Sequence, residues 1–265
     1  MDRVSAEPVC DVVYPKKPPA LRQKVGRLVR VPFEDLERTL SGAYECQLVT
    51  HVQMRVYSFL CLSGDTDPTT SPLVQLIHKA PALATVAITV DDYCCSECWN
   101  KIAPPLCDAI LHNKGVHAFE VNLPKKADMQ LLPLAELLQC NPSLYRFALK
   151  PPGPKAFRDF LRKAAKKKLW DNCNLAIVDL KYSGQDMQKE KLLLQNVVDR
   201  NCKLAMRAAR FVGGARSMEN AEALKKVFGS QFLVKKVCDA LQENRQQALR
   251  RIATCLEEVT DGKPT

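Results

Sequence analysis

Cysteine and histidine residues that could bind a metal ion occur near the middle of the chain. Within the stretch Cys-Cys-Ser-Glu-Cys, Cys95 and Cys98 have the spacing of half a zinc site. His112 and His117 follow, which completes a C-x2-C…H-x4-H pattern. Two prolines interrupt the intervening segment, and thiols of a chain in a reducing compartment are commonly unpaired. We expect no bound metal, with these four residues as the alternative zinc ligands.

The same cysteines have the chemistry of a nucleophile beside a histidine base. Such catalysis requires an activated thiolate and a third group that orients the base, and no catalytic signature surrounds any of the twelve cysteines. The chain contains neither GxxxxGK[ST] nor GxGxxG, and neither HExxH nor GxSxG. We therefore expect a protein that is not an enzyme and that uses no cofactor.

A run of basic residues in the second half of the chain could contact phosphate groups or an acidic protein. Residues 1–149 hold 15 Lys/Arg against 16 Asp/Glu, whereas residues 150–265 hold 24 against 13, so the net charges are −1 and +11. On a helix this run forms one positive stripe, which is either a solvated face or a surface for nucleic acid or an anionic membrane. The run comprises Arg158, Arg162, Lys163, Lys166, Lys167 and Lys168.

The elements that position these residues are indicated by a repeated pattern of apolar residues. The order apolar, two residues, apolar, one residue, apolar occurs five times. Its central positions are 34, 33, 28 and 31 residues apart, and each run alternates as a half-buried strand does. The five central residues are Val52, Val86, Phe119, Phe147 and Val178.

A segment with helical spacing precedes each predicted strand, so one unit consists of a helix, a tight turn and a short strand. The turn is clearest where Pro142 ends a helix and biases Asn141 away from the helical conformation. A single unit of this length cannot bury both of its faces. Stacked units can, with the strands in a parallel sheet and the helices on its outer side.

This combination of an LxxLxL strand, a leucine-rich helix and an NPSL turn at 141–144 resembles the ribonuclease-inhibitor-like class of leucine-rich repeats. The resemblance covers residues 33–212 and is best over residues 134–149. It implies an α/β fold, a leucine-rich-repeat solenoid with a curved parallel sheet and outer helices. An all-α segment follows at the C-terminus.

The sequence departs from the family pattern after each strand, where the family has Asn or Cys. We therefore expect the asparagine ladder of the family to be absent or replaced. Varying unit lengths predict insertions such as Tyr93–Pro105 and an irregular horseshoe. The residues at the expected asparagine positions are Tyr57, Asp91, Pro124, Pro152 and Ser183.

Three regions follow from these patterns. Residues 1–32 are predicted to be a leader that is flexible or loosely docked, and residues 33–187 to form about five irregular repeats. Residues 188–265 are predicted to form a helical cap, with helices at 188–212, 218–228, 231–242 and 244–259. The sequence has no signal-peptide pattern and no apolar run of membrane-spanning length, which favours a cytoplasmic or nuclear protein.

We expect a scaffold that binds a protein partner through the concave face of the repeats. The alternative is binding of nucleic acid or an anionic surface through the basic C-terminal half. The strand residues that alternate with the core positions form the predicted binding face. They are His51, Gln53, Arg55, Thr85, Thr89, Glu120, Asn122, Arg146, Lys150, Asp179 and Lys181, with Ala87, Ala118, Ala148 and Ile177 between them.

Overall fold

The computed structural model shows a mixed α/β protein. Its seven-stranded sheet has the order β2-β1-β3-β4-β5-β6-β7, and the five strands from β3 to β7 are parallel. The strands are β1 Val9–Val13, β2 Leu28–Pro32, β3 His51–Val56, β4 Thr85–Val90, β5 Ala118–Asn122, β6 Arg146–Lys150 and β7 Ile177–Leu180. The structure describes residues 9–13, 28–32, 50–56, 71–126, 128–165, 169, 171–182 and 187–261.

Eight helices lie in the described part of the chain. The first four connect or follow the parallel strands, and the last four follow one another without an intervening strand. They are α1 Pro72–Lys79, α2 Ser96–His112, α3 Leu132–Cys140, α4 Pro154–Ala164, α5 Gln188–Val212, α6 Met218–Val227, α7 Gln231–Leu241 and α8 Arg245–Thr260. None of the described helices is both long and apolar enough to cross a membrane.

The parallel sheet predicted from the apolar repeat is present, and its register matches the repeat. The five central residues of the repeat, from Val52 to Val178, pair directly across neighbouring strands. Their side chains face the helices, and Phe119 and Phe147 are among the largest fully buried side chains. Since side chains alternate along a strand, this register places every intervening residue on the opposite face.

The two N-terminal strands were not predicted. Residues 1–32 were expected to form a flexible or loosely docked leader, whereas Val9–Val13 pairs antiparallel with both Leu28–Pro32 and His51–Val56. These strands thus add to the sheet on the β3 side, where the first parallel strand would otherwise present unpaired backbone groups.

Buried asparagines form a ladder between successive units, in place of the family ladder that we expect to be absent or replaced. Asn113, Asn141 and Asn172 stand in the turns before the strands, and Asn201 lies within helix α5. None of the four stands after a strand, where the family pattern places its asparagines. Each side-chain amide donates to a backbone carbonyl of the preceding turn. The bonds run from Asn113 to Ala80 O (2.9 Å), Asn141 to Ile110 O (3.0 Å), Asn172 to Leu138 O (2.8 Å) and Asn201 to Asn172 O (2.8 Å).

Helix α2 continues through Pro104 and Pro105, so the break and exposed insertion expected at Tyr93–Pro105 are wrong for this part of the chain. Pro104 is exposed and Pro105 half-buried. Because the prolines lie toward solvent, carbonyl groups that lose a helical hydrogen bond there can bond to water. The opposite side of the helix is buried, including Trp99, whose indole N–H donates to Gln130 O at 2.8 Å.

Helices α6 to α8 and the C-terminal part of α5 have a core of their own, whereas Leu194 and Val197 of α5 belong to the core between the sheet and the first helices. Their observed bounds lie within one residue of the predicted ones. Serine and asparagine caps explain where they begin, because Ser217, Ser230 and Asn244 each accept a hydrogen bond from a first-turn N–H. Helix α7 also reaches the sheet, where the rings of Phe232 and Tyr145 lie 5.9 Å apart.

Candidate functional site: the open face of the sheet

One face of the parallel sheet is left open by the described helices. The described side chains in register with Val52 and with Ile88 belong to the helix-packed core or pack against it, whereas none of the described intervening side chains does. The predicted binding residues therefore lie on one surface. In register, its three rows are His51, Thr85, Ala118, Arg146 and Ile177; Gln53, Ala87, Glu120, Ala148 and Asp179; and Arg55, Thr89, Asn122 and Lys150, with Lys181 directly after β7.

The side chain of Arg55 lies outside the described residues, although its backbone forms part of β3. His51, Gln53, Arg146 and Lys150 are exposed. Asp179 and Lys181 are also exposed, Thr85, Thr89, Glu120 and Asn122 are half-buried, and Ala118 and Ala148 are buried. The surface is thus accessible across all five parallel strands.

A polar network joins three of these residues across the face. Lys181 Nζ donates to Glu120 Oε1 at 2.9 Å, and Asn122 Nδ2 donates to the same oxygen at 3.1 Å. The hydrogen bond from Lys181 lowers the pKa of Glu120, and the same bond raises the pKa of Lys181. Both groups are therefore charged at neutral pH. Because the two residues are 61 positions apart, this ion pair could not be inferred from sequence spacing.

The network crosses strand β6 and covers its central residue. Ala148 lies in register with both Glu120 and Asp179, and only 1% of its surface is exposed. Its small side chain leaves room for the Lys181 side chain to pass from β7 to β5. Ile177, which is 36% exposed, and the half-buried Ala87 supply the apolar part of this surface.

The basic run lies on helix α4 as far as it is described. Arg162 is exposed and Arg158 is half-buried, whereas Lys163 pairs with Glu136 at 3.0 Å. Lys166, Lys167 and Lys168 lie outside the described residues. The helix is on the side of the sheet opposite to the open face, so these cations and the predicted binding face form two separate surfaces.

A groove of about 830 Å³ accompanies the basic run on the helix side. Its walls carry both signs of charge, and Lys163 at its rim is already paired with Glu136. The charge of the groove is therefore mixed. The lining includes Asp128, Leu132, Lys155, Asp159 and Arg162.

The four alternative zinc ligands are not brought together. Cys98 N donates to Cys95 Sγ at 3.3 Å, which caps the start of helix α2, and Cys98 is buried. His112 lies fourteen residues farther along the same helix, or about 21 Å away at the usual helical rise. His117 stacks on Tyr145 with ring centroids 5.1 Å apart. The described residues hold no group of three or more His, Cys, Asp or Glu that could bind a metal ion.

Burial lowers the pKa of His117, which keeps its imidazole neutral near pH 7. Cys107, another thiol near the sequence motif, is fully enclosed, and burial raises its pKa far above the ordinary value. Neither group has the environment of an activated base or thiolate.

Comparisons with known proteins leave the family unassigned. No family model matches the sequence, and no curated protein matches it. Among solved structures, the chain is similar to the tropomodulin C-terminal domain of Caenorhabditis elegans, with 13% sequence identity and a TM-score of 0.40. The match covers 64% of this chain and 94% of that one. With so low an identity and TM-score, the similarity adds nothing to the fold that the strands and helices of this chain show.

Proposed function

We propose that this chain is a non-catalytic interaction module of the leucine-rich-repeat type that binds a protein partner on the open face of its sheet. The observation that carries the proposal is the five-stranded parallel register, which gathers residues from positions 51 to 181 on one accessible surface. A broad surface of this kind suits a protein partner better than a small molecule, which prefers a concave pocket.

Repetition of one backbone geometry supports the leucine-rich-repeat assignment. Four carbonyl groups at the starts of successive strands each accept two hydrogen bonds, from consecutive N–H groups of the next strand. The asparagine turns recur with similar spacing, at positions 113, 141 and 172. The four carbonyl groups belong to Thr50, Ala84, His117 and Tyr145.

A second candidate function is binding of nucleic acid or another anionic surface through the basic C-terminal half. Its support is the net charge of +11 over residues 150–265 together with exposed cations such as Arg162, Lys203 and Arg210. Carboxylates interrupt these cations, for example Glu219 beside Arg207 at 3.7 Å. We rank this function second, because phosphate-dominated binding depends on contiguous positive charge.

Site-specific photo-crosslinking in cells tests the two functions. A benzophenone amino acid is placed at Gln53 or Ile177 on the open face, and at Arg162 or Asn196 on the helix side as matched controls. All four positions are exposed, and the two open-face positions are uncharged in the natural chain. We expect discrete protein adducts from the open-face positions that persist after nuclease treatment.

Adducts that form only at the helix-side positions, or that disappear with nuclease, would contradict binding through the open face and favour the second function. Absence of any adduct at the open-face positions would also count against the proposal. Unchanged thermal unfolding of each labelled protein shows that the substitutions leave the fold intact.

A further inference from the structure

Strand β6 carries two cations on the open face. Arg146 and Lys150 occupy its first and last positions and point to the same side, since they are four residues apart. Both are exposed, and in the described part of the chain neither side chain has an ion-pair or hydrogen-bond partner. At the usual rise per strand residue their Cα atoms are about 13 Å apart. These two residues are called the β6 cation pair below.

The carboxylates nearby do not neutralise the β6 cation pair. Glu120 on β5 is held by Lys181 and Asn122. Asp179 on β7 lies in register with Ala148, midway between the two cations along the neighbouring strand. The surface of β6 therefore keeps an excess of positive charge at its two ends.

The surface between the two cations is crossed by the Lys181 side chain, which reaches Glu120 over Ala148. Ala148 is the only side chain between them on this face of β6, and it is buried. Ile177 lies in register with Arg146 and is 36% exposed, so it offers an apolar contact beside that cation. An extended chain that spans the two cations lies over the Lys181–Glu120 ion pair.

We propose that the open face binds an acidic segment of a partner protein, in extended conformation, with one carboxylate at Arg146 and another at Lys150. The inference rests on the proposed function and assigns the chemistry of its partner. Two acids four residues apart in an extended segment match the spacing of the β6 cation pair. An apolar side chain two positions from the acid at Arg146 points to the same side of the extended segment and can contact Ile177.

A protein segment fits this surface better than a nucleic acid does. Single-stranded nucleic acids bind where aromatic side chains stack on bases and basic residues follow the backbone continuously. The open-face residues that the structure describes include no aromatic ring other than the His51 imidazole. Glu120 and Asp179 also stand where a continuous phosphate backbone would pass.

Titration of the full chain, labelled with ¹⁵N, tests the proposal by NMR at low salt. The probe is a synthetic twelve-residue peptide of Ser and Gly with two glutamates four positions apart and a valine midway between them, so that all three side chains share one side of the extended chain. We expect chemical-shift changes in β6 and β7 that weaken as salt is added. The double variant Arg146→Gln/Lys150→Gln should bind about tenfold more weakly, and Asp179→Asn about twofold more tightly.

Two controls decide the outcome. The double variant Lys155→Gln/Arg162→Gln removes the same charge from the helix side, and it should bind the peptide as the natural chain does. A peptide with glutamine at both acidic positions should not bind. The proposal is overturned by equal affinity of the Arg146→Gln/Lys150→Gln variant, by absence of binding at millimolar peptide, or by tighter binding of an oligothymidylate at the same residues.

The photo-crosslinks separate this inference from the proposed function. If adducts at Gln53 and Ile177 persist in the Arg146→Gln/Lys150→Gln variant at unchanged yield, the open face binds a partner of other chemistry, and only the acidic assignment fails. If no adduct forms in the natural chain, both fail.

Discussion

At the scale of single residues, buried asparagines connect each unit to the preceding one through side-chain hydrogen bonds. Asn141 is 1% exposed, donates to Ile110 O, and accepts from Ser143 N at 2.7 Å and Leu144 N at 2.8 Å. These three hydrogen bonds contribute to stability, because the buried backbone groups that Asn141 contacts would otherwise have neither a protein partner nor water to bond to. The Asn141 side chain alone thus fixes the conformation of this turn.

Asn141→Ala should lower the free energy of unfolding by about 3 kcal/mol, because it leaves a buried carbonyl and two N–H groups without the side-chain partner. Urea denaturation followed by circular dichroism measures the change. The matched control is Asn196→Ala, an exposed asparagine on α5, which should stay within about 0.5 kcal/mol of the natural chain. Equal effects of the two substitutions would contradict the ladder as a source of stability.

Sequence reasoning anticipated part of this picture. Pro142 marked the turn, and Asn141 adopts the extended conformation expected before a proline, with φ −79° and ψ 116°. The family pattern predicts the ladder asparagines after each strand, where this chain has other residues. The true position of the ladder depends on carbonyls about 30 residues away, such as Ile110 O, and one sequence does not show which distant carbonyls a turn will meet.

At the scale of elements, alternation along the strands was the reliable signal. It predicted five strands, their common register and the residues of the open face, because burial on one side imposes a period of two. The strands β1 and β2 lacked such a signal. Prolines and basic residues near them indicated a leader, whereas their pairing depends on the edge of β3, a tertiary contact.

Helix α7 packs through Phe232 against residues at the starts of β6 and β7, in addition to α5, whose Leu194 and Val197 belong to the core between the sheet and the helices. The Phe232 ring is 7% exposed and packs near Tyr145 and Ala176. We expect Phe232→Ala to lower stability by about 3 kcal/mol and to speed amide hydrogen exchange in α7. Exchange in β4 and β5 should change little.

The control for this substitution is Phe228→Ala, at the end of α6, where the ring is 52% exposed. It should cost less than about 1 kcal/mol, because little apolar surface is lost. Faster exchange throughout the sheet in Phe232→Ala would show that the C-terminal helices and the sheet unfold as one unit, contrary to expectation.

At the scale of the whole molecule, the protein has two cores and two charged surfaces on opposite sides of one sheet. The open face combines an internal ion pair with unpaired cations on β6, and the helix side carries the described part of the basic run. Since the net charge of +10 is concentrated after residue 149, long-range attraction of acidic molecules does not distinguish the two surfaces. Only position-specific variants do.

Acid should destabilise the protein in two steps. The pKa of His117 in the folded protein lies below its ordinary value of 6.5. As the pH is lowered below 6.5, the histidine is protonated in the unfolded chain before it is protonated in the folded protein, so the stability of the fold decreases. Glu120 has a pKa below its ordinary value of 4.5, so its contribution is present above that pH and is lost as pH falls through the lowered value.

Urea denaturation at a series of pH values measures both steps. His117→Phe, which keeps a ring beside Tyr145, should remove the upper step, and Glu120→Gln should reduce the lower one while lowering stability at pH 7 by about 0.5 kcal/mol. Constant stability of the natural chain between pH 7 and pH 5 would contradict the buried, neutral state of His117.

The last rung of the asparagine ladder lies on a helix and not in a turn. Asn201 of α5 donates to Asn172 O and to Leu175 O, as a further unit would. Tandem duplication of a unit is therefore easiest inside the array, because the asparagine of the added unit would find the same backbone carbonyl in the preceding unit. At the α5 end, an added unit would have to replace the two hydrogen bonds that Asn201 already makes, so extension at this end costs contacts that duplication inside the array does not.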